Sequence, residues 1–413
     1  MNVRLKIDSL GGQGDGVART ERGQVFVPFT LPGEIVNVAV ERDRGTLMAV
    51  VEPSPLRVEP PCRHFGTCGG CSLQHMDDAA YRAFKSERVA SALKRERIDV
   101  ALEPLIACAP DSRRRVVLSG RRTVGGMLLG YHRMQSAEIV DIEECRIAVP
   151  SIVSALPLLR DLAGIVCQNT KPFHVTVTST ETGHDVAFAD VDDVPDAARR
   201  AAGDMAIRQK LARLSIDGDI VVEHHRPAIR YGSVDVSPPP GSFLQAVASA
   251  EEAMAGLIMA HLAKAKRVAD LFCGSGAFAL RLAHGSEVHA VEAEAAPLAA
   301  LDRGFRFSTG LKRVTTEKRD LFRRPLTFKE LDAFDGIVFD PPRAGAEDQS
   351  RQIARSNVPK VAAVSCNPAT LARDLRILID GGYKLVSVTP VDQFLWSPHV
   401  EAVALLEKPR KRR

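Results

Sequence analysis

Past residue 242 the chain alternates short apolar, β-branched runs with helix-forming stretches, and no other feature constrains its fold as strongly. A helical pattern over LQAVASAEEAMAGLIMAHLAKA leads into RVADLF, a glycine-rich turn and another helix. EVHAVEA, FDGIVFD, KVAAVSC and KLVSVTPVDQF follow, with helical segments after the first three; HVEAVALLEK ends the series before a basic tail, KPRKRR. Strands that are regularly followed by helices imply a doubly wound, largely parallel sheet. Such sheets bind ligands at the carboxyl ends of their strands, so residues just past those ends are the first candidates for chemistry.

The residues upstream read differently. Over 1–58 the runs VRLKI, GVART, QVFVPF, EIVNVAV and LMAVVE are separated by Gly-rich or charged turns, the pattern of a small β-barrel. Pro53, Pro55, Pro60 and Pro61 mark a linker, and Pro238-Pro239-Pro240-Gly241 a second break. Between the breaks lie a cysteine cluster and a helix-favouring stretch, MDDAAYRAFKSERVASALKRERID. Strand-like runs over 113–146, a hairpin of FHVTVTST and DVAFAD, a helical DAARRAAGDMAIRQKLARL and extended residues 220–237 come next. A multi-domain chain is expected: a β-barrel over 1–58, an α/β central domain with the cysteine cluster over 59–235, and a Rossmann-like α/β domain over 236–413. The 413 residues suit two to three units of about 150 each.

The formal net charge is only +4, so any nucleic-acid surface must come from local charge. Arg113, Arg114, Arg115, Arg121, Arg122 and Arg133 form such a concentration; they could contact several phosphates or form a solvated face. The start MNVRLKIDSLGG lacks a signal-peptide core, and no run approaches about 18 apolar residues. A cytoplasmic protein with no membrane span is the expectation.

Three strand ends carry chemistry. Asp270-Leu-Phe-Cys-Gly274-Ser-Gly276 is a strand running into two glycines and a helix, a turn whose backbone can approach a ligand closely. Glu292, ending the next strand, is placed to accept ribose hydroxyls, with Asp270 flanking the nucleoside. The turn suits either a dinucleotide or S-adenosylmethionine and does not choose between them. Asp340-Pro341-Pro342-Arg343 places a rigid loop at the same edge, as in methyltransferases acting on nucleic-acid bases. Cys366, at the end of KVAAVS, is a thiol near the cofactor that can attack as thiolate, and Glu401 lies close to His399 on the last strand. Separately, Cys62, Cys68 and Cys71 have the spacing C-x5-C-x2-C, with Cys145 as fourth thiol; four sulfurs suit an iron–sulfur cluster or zinc.

Together these residues resemble the RNA uracil-C5 methyltransferase family, which includes the bacterial 23S ribosomal RNA and transfer RNA (uracil-5-)-methyltransferases. The resemblance spans nearly the whole chain. It rests on IDSLGGQGDGVARTERGQVFVPFTLPGEIV, CRHFGTCGGCSLQH, VDIEEC, SFLQ, DLFCGSG, VEAE, DPPRAG, SCNPATLARDL and HVEAVALLEK, in the family's order. It implies an OB-like TRAM barrel at the N-terminus and a [4Fe–4S] cluster on Cys62, Cys68, Cys71 and Cys145. It also implies S-adenosylmethionine contacts from Gln245, Phe272, Glu292, Asp320 and Asp340, with Cys366 as nucleophile and Glu401 as base. An RNA partner follows, ribosomal RNA ahead of transfer RNA, with a monomeric enzyme expected. The chain departs from the family pattern at Ala277, where Asn is common, in LDRGFRFSTG, and in FLWSPHVE, where Trp396 and Pro398 intrude. Rival readings are a cytosine-C5 RNA methyltransferase, a NAD-dependent oxidoreductase and a non-catalytic RNA-binding or assembly factor.

Overall fold

The computed structural model describes residues 2–409; the tail residues 410–413 lie outside them. The strands expected near the N-terminus form a six-stranded sheet. Its order is Asn2–Lys6, Ile35–Glu41, Arg44–Glu52, Gly23–Val27, Gly16–Thr20, Ser9–Leu10. The two outermost strands are consecutive in the chain, separated only by Ile7 and Asp8, so the sheet's edges meet and it curls into a barrel. Ile7, Val25, Val27, Val36 and Val38 fill the interior. Where the chain leaves the barrel, the fully buried Glu34 carboxylate accepts from Arg57 Nε at 2.5 Å and Nη2 at 2.8 Å, fastening the barrel to the linker.

A seven-stranded sheet follows. Its order is Ile139–Asp141, Gly126–His132, Arg115–Thr123, Phe173–Thr180, Gly183–Ala189, Arg213–Ile216, Asp219–Glu223. All neighbours are antiparallel except Gly183–Ala189 with Arg213–Ile216, which the helix Asp196–Arg208 connects as a crossover. Helices Pro150–Ser154 and Leu156–Val166, which the sequence reading did not pick out, pack Ile152 of the first and Leu156, Leu159, Leu162 and Val166 of the second into this core.

The alternating region forms an eight-stranded sheet. Its order is Val314–Lys318, Glu287–Glu292, Arg267–Leu271, Gly336–Phe339, Lys360–Ser365, Glu401–Glu407, Lys384–Asp392, Ile106–Ala107. The first five strands are mutually parallel. The strand Glu401–Glu407 is inserted antiparallel between Lys360–Ser365 and Lys384–Asp392, with Ser365 opposite Ala402. Helices cover both faces. Met254, Ile258 and Leu262 of helix Ala248–Leu262 lie in one apolar layer; Ile353, Leu371, Leu375 and Leu378 of helices Glu347–Arg355 and Pro368–Asp380 lie in the other.

The three-part division expected from sequence assigns residues 59–235 to the central unit. Yet helix Asp78–Arg95 lays Val89, Ala92 and Leu93 into the second layer of the C-terminal core, and strand Ile106–Ala107 extends that sheet. The helix is pinned there by Lys85, whose ammonium, with no exposure, sits 2.6 Å from Asp392 Oδ1.

Candidate active site

Strand direction builds the site. Parallel strands bring Asp270, Glu292, Asp340 and Cys366 to one edge, and the inserted strand, running the other way, starts at that edge with Glu401. A cleft of about 580 Å³ opens there. Gln245, Phe272, Glu292, Asp320, Asp340, Cys366 and Glu401 all line it.

One half is made by the glycine turn. Phe272, Gly274 and Gly276 all have positive φ (61°, 52° and 93°), and a Cβ on Gly276 would sit 2.7 Å from Leu301 Cγ, so a glycine is needed there. Glu292 braces the turn: its Oε2 accepts from Gly274 N at 3.0 Å, and Oε1 from Ala293 N and Glu294 N at 2.7 and 3.1 Å. The Phe272 and Phe322 rings meet at 5.5 Å with Phe322 half exposed, forming an aromatic wall. Asp320 lies beside it, its Oδ1 accepting from Phe322 N at 2.9 Å. Asp270 corrects the expectation that it flanks a nucleoside. It is 1% exposed beneath the turn with neither oxygen hydrogen-bonded, and burial, helped by the charges of Asp340 and Glu292, holds its carboxyl far above the usual range.

The other half is a chain of carboxylates and amides. Gln245 Nε2 donates to Asp340 Oδ2 at 2.9 Å. Gln393 Nε2 donates both to Gln245 Oε1 and to Glu401 Oε2, each at 2.7 Å. Burial pushes Asp340 up to about 7; burial, reinforced by Asp340's charge, pushes Glu401 up to about 8. Burial also raises the Cys366 thiol to about 11, with Glu401 and Asp340 adding to the effect and Arg343 opposing it. Burial therefore favours the protonated thiol of Cys366, which must lose its proton before it attacks as thiolate. Arg343 Nη2 lies 3.3 Å from His399 Nδ1, and burial, with Arg343's charge, lowers His399 to about 4, so this ring is a neutral acceptor.

The segment between Asp392 and Glu401 is strapped down. Lys85 Nζ donates to Asp392 Oδ1, to Phe394 O at 3.0 Å and to His399 O; Tyr81 OH donates to Asp392 Oδ2 at 2.7 Å and accepts from Trp396 N at 2.8 Å. Trp396 O accepts from Ser72 N and Leu73 N, the two residues after Cys71. Gln393, Arg343 and Lys85 did not emerge as site residues from the sequence. Gln393 sits in VDQF beside the flagged FLWSPHVE, and that adjacency was the available signal.

Cys62, Cys68, Cys71 and Cys145 line a second, small cavity, and all four are free thiols. Burial, with repulsion from Cys145, Cys68 and Cys62 and against a hydrogen bond with Gln74, raises Cys71 to about 12, so ionised sulfurs here call for a compensating cation. Among the described residues no three His, Cys, Asp or Glu side chains are grouped to hold a metal ion. The arginine concentration is divided between structural ties and the cleft. Arg114 pairs with buried Glu251 at 2.7 Å, while Arg115 donates to Ser242 O and Gly241 O, and Arg122 to Cys167 O and Gly164 O. These three tie segments together, and only Arg113 and Arg115 of the six reach the cleft wall.

Comparisons with known proteins bear on this geometry. Over 413 residues the chain is 62% identical to an RNA methyltransferase of Mesorhizobium japonicum, covering 100% of both chains. It is 32% identical to the 23S rRNA (uracil(1939)-C(5))-methyltransferase RlmD of Pectobacterium atrosepticum, covering 98% of this chain and 93% of that one. This chain belongs to the RNA uracil-C5 methyltransferase family. A TRAM domain matches residues 2–47, the barrel, and the tRNA (Uracil-5-)-methyltransferase family matches residues 305–409. The fold is that of the Pyrococcus abyssi tRNA (uracil-54, C5)-methyltransferase, solved with S-adenosyl-L-homocysteine (TM-score 0.76, 24% identity, 98% of this chain and 99% of that one). Like its family, the chain is an RNA methyltransferase, and this sets aside the oxidoreductase and the non-catalytic binding factor. Among the described residues no helix is long and apolar enough to cross a membrane.

Proposed function

We propose that the chain transfers a methyl group from S-adenosylmethionine to C5 of a uridine in RNA through a covalent cysteine adduct. The observation that carries this reading is the meeting of Cys366 and Glu401 at one edge of paired, oppositely directed strands, in the cleft that also holds Asp340 and the glycine turn. Ribosomal RNA is the favoured class, supported by the 23S rRNA relative at 32% identity, with transfer RNA the alternative.

S-adenosylmethionine, when bound, supplies the methyl group on a positively charged sulfur. Glu292 offers a carboxylate to ribose hydroxyls, Phe272 with Phe322 an aromatic face for the adenine, and Asp320, Gln245 and Asp340 further polar contacts. Uracil C5 is a weak nucleophile. Cys366 loses its thiol proton to solvent and adds as thiolate to C6. The S–C6 bond forms as the C5–C6 π pair moves to make C5 an enolate carbon, which takes the methyl group as the sulfonium S–CH3 bond breaks and S-adenosylhomocysteine is left. Glu401 then accepts the C5 proton; the electron pair of that C–H bond restores the C5–C6 double bond and expels Cys366 as thiolate. Cys366, Glu401 and Asp340 are all held toward their neutral forms by burial, and positive charge in the cleft favours ionisation of each.

Cys62, Cys68, Cys71 and Cys145 are proposed to hold a [4Fe–4S] cluster with a structural role, bracing the loop before helix Asp78–Arg95. The four thiols lining one small cavity support this reading, four sulfurs being the usual ligand set of such a cluster.

The test uses 5-fluorouracil-substituted ribosomal and transfer RNA, separately, with S-adenosylmethionine and protein purified without oxygen. Fluorine at C5 cannot leave as a proton, so a stalled RNA–protein adduct that depends on the cofactor and on Cys366 is expected, and the RNA that traps it identifies the class. No adduct with either RNA, despite bound cofactor, overturns the reading.

A further inference from the structure

Gln393 is a buried polar group of the cleft whose placement the reaction above leaves unexplained. Its side chain is 2% exposed, and its Nε2 spends both hydrogens inside the site, on Gln245 Oε1 and Glu401 Oε2. Its Oε1 is buried without a partner. An orphaned buried carbonyl is unfavourable, and turning the amide over would set Oε1 against Gln245 Oε1 and Glu401 Oε2, so the double donation fixes the orientation. The backbone beneath is immobilised on both sides, by Asp392 on Lys85 and Tyr81 and by Arg113 Nη2 donating to Gln393 O at 3.4 Å.

We propose that Gln393 is a positioning residue for proton removal: it holds Glu401 in place through one carboxylate oxygen and, through Gln245 and Asp340, keeps the proton acceptor in register with the cofactor half of the cleft. The inference rests on the reading of Cys366 as nucleophile and Glu401 as base. It separates the two halves of the reaction. Adduct formation and methyl transfer need Cys366 and the cofactor. Only the last step, in which the C5–H electron pair restores the double bond and frees the Cys366 thiolate, needs Glu401 ionised and aimed. A hydrogen bond to a charged acceptor corresponds to roughly 10- to 100-fold in rate.

The experiment compares wild type with Gln393→Met, which keeps length and volume but donates nothing, and Gln393→Asn, which keeps the amide but is one methylene too short for both acceptors. Binding of S-adenosylhomocysteine and circular dichroism check that each is folded. The expected result is adduct formation with 5-fluorouracil-substituted RNA near the wild-type rate in both variants. With ordinary RNA and S-adenosylmethionine, turnover falls about 10- to 100-fold and a methylated RNA–protein adduct, scarce in wild type, accumulates. Because Met no longer donates to the Glu401 carboxylate, the acid limb of its turnover profile moves to higher pH, with Asp340, Cys366 and Arg343 unchanged around it. Wild-type turnover in both variants, or equal loss of adduct formation and turnover, overturns the proposal. Absence of the fluorouracil adduct in wild type overturns the underlying reading instead, and the two failures are told apart by that control.

Discussion

Replacing Lys85 with Met removes the ammonium that fastens the strap ahead of Glu401 while keeping most of the side-chain volume. Lys85 and Asp392 have 0% and 1% side-chain exposure and lie 2.6 Å apart, and the ammonium also serves the carbonyls of Phe394 and His399. Taking one partner from a buried pair leaves the other charge without compensation, at a cost of about 3–5 kcal/mol. The double variant Lys85→Met/Asp392→Leu removes both charges, so it should be less destabilised than Lys85→Met alone. The Tyr81 hydroxyl and the two carbonyls then lose partners, which keeps it about 1–3 kcal/mol below wild type. Urea unfolding reads this directly, since Trp396, the chain's single tryptophan, lies in the strap itself and its amide bonds to Tyr81. A Lys85→Met loss below about 1 kcal/mol, or a double variant whose loss equals the sum of the singles, refutes the reasoning.

Glu292→Ala is expected to weaken S-adenosylhomocysteine binding about 10- to 100-fold by calorimetry, through loss of charged hydrogen bonds to the ribose and of the brace on Gly274. Unchanged affinity contradicts the assignment. The Glu401 carboxyl is raised in the folded chain from 4.5 to about 8, so the folded state binds more protons in that window and its stability falls as pH rises through it. Glu401→Gln should flatten the decline of the urea midpoint between those pH values, and an unchanged slope contradicts it. Protein purified without oxygen should carry iron and acid-labile sulfide that Cys71→Ser loses; stoichiometric zinc in their place contradicts the cluster.

Much of the fold was legible because most C-terminal strands are short apolar runs bounded by turn residues, as in Arg267–Leu271 and Lys360–Ser365. Val314–Lys318 escaped notice because an edge strand of sequence VTTEK buries one residue in five. Leu156–Val166 escaped because its apolar run breaks neither into clear alternation nor into a capped helix, its N-cap making no side-chain bond. At the site, strand ends and motif residues were readable one by one. The insertion of the last strand beside Lys360–Ser365, which sets Glu401 across from Cys366, is a long-range pairing with no local signature. The same holds for Lys85, a lysine in a polar helix whose partner lies 307 residues away, and for Gln393, whose partner Gln245 lies 148 residues away. The arginines stayed open for a related reason: a guanidinium tying two segments together and one awaiting a phosphate look the same in a sequence.

The central claim is methylation of uridine C5 in RNA through Cys366. Its most direct measurement is nucleoside mass spectrometry of ribosomal and transfer RNA incubated with isotopically labelled S-adenosylmethionine and either wild-type protein or Cys366→Ala. The account predicts labelled 5-methyluridine with wild type and none with Cys366→Ala, which should still bind S-adenosylhomocysteine. A label on another nucleoside, or 5-methyluridine persisting in Cys366→Ala, would contradict it.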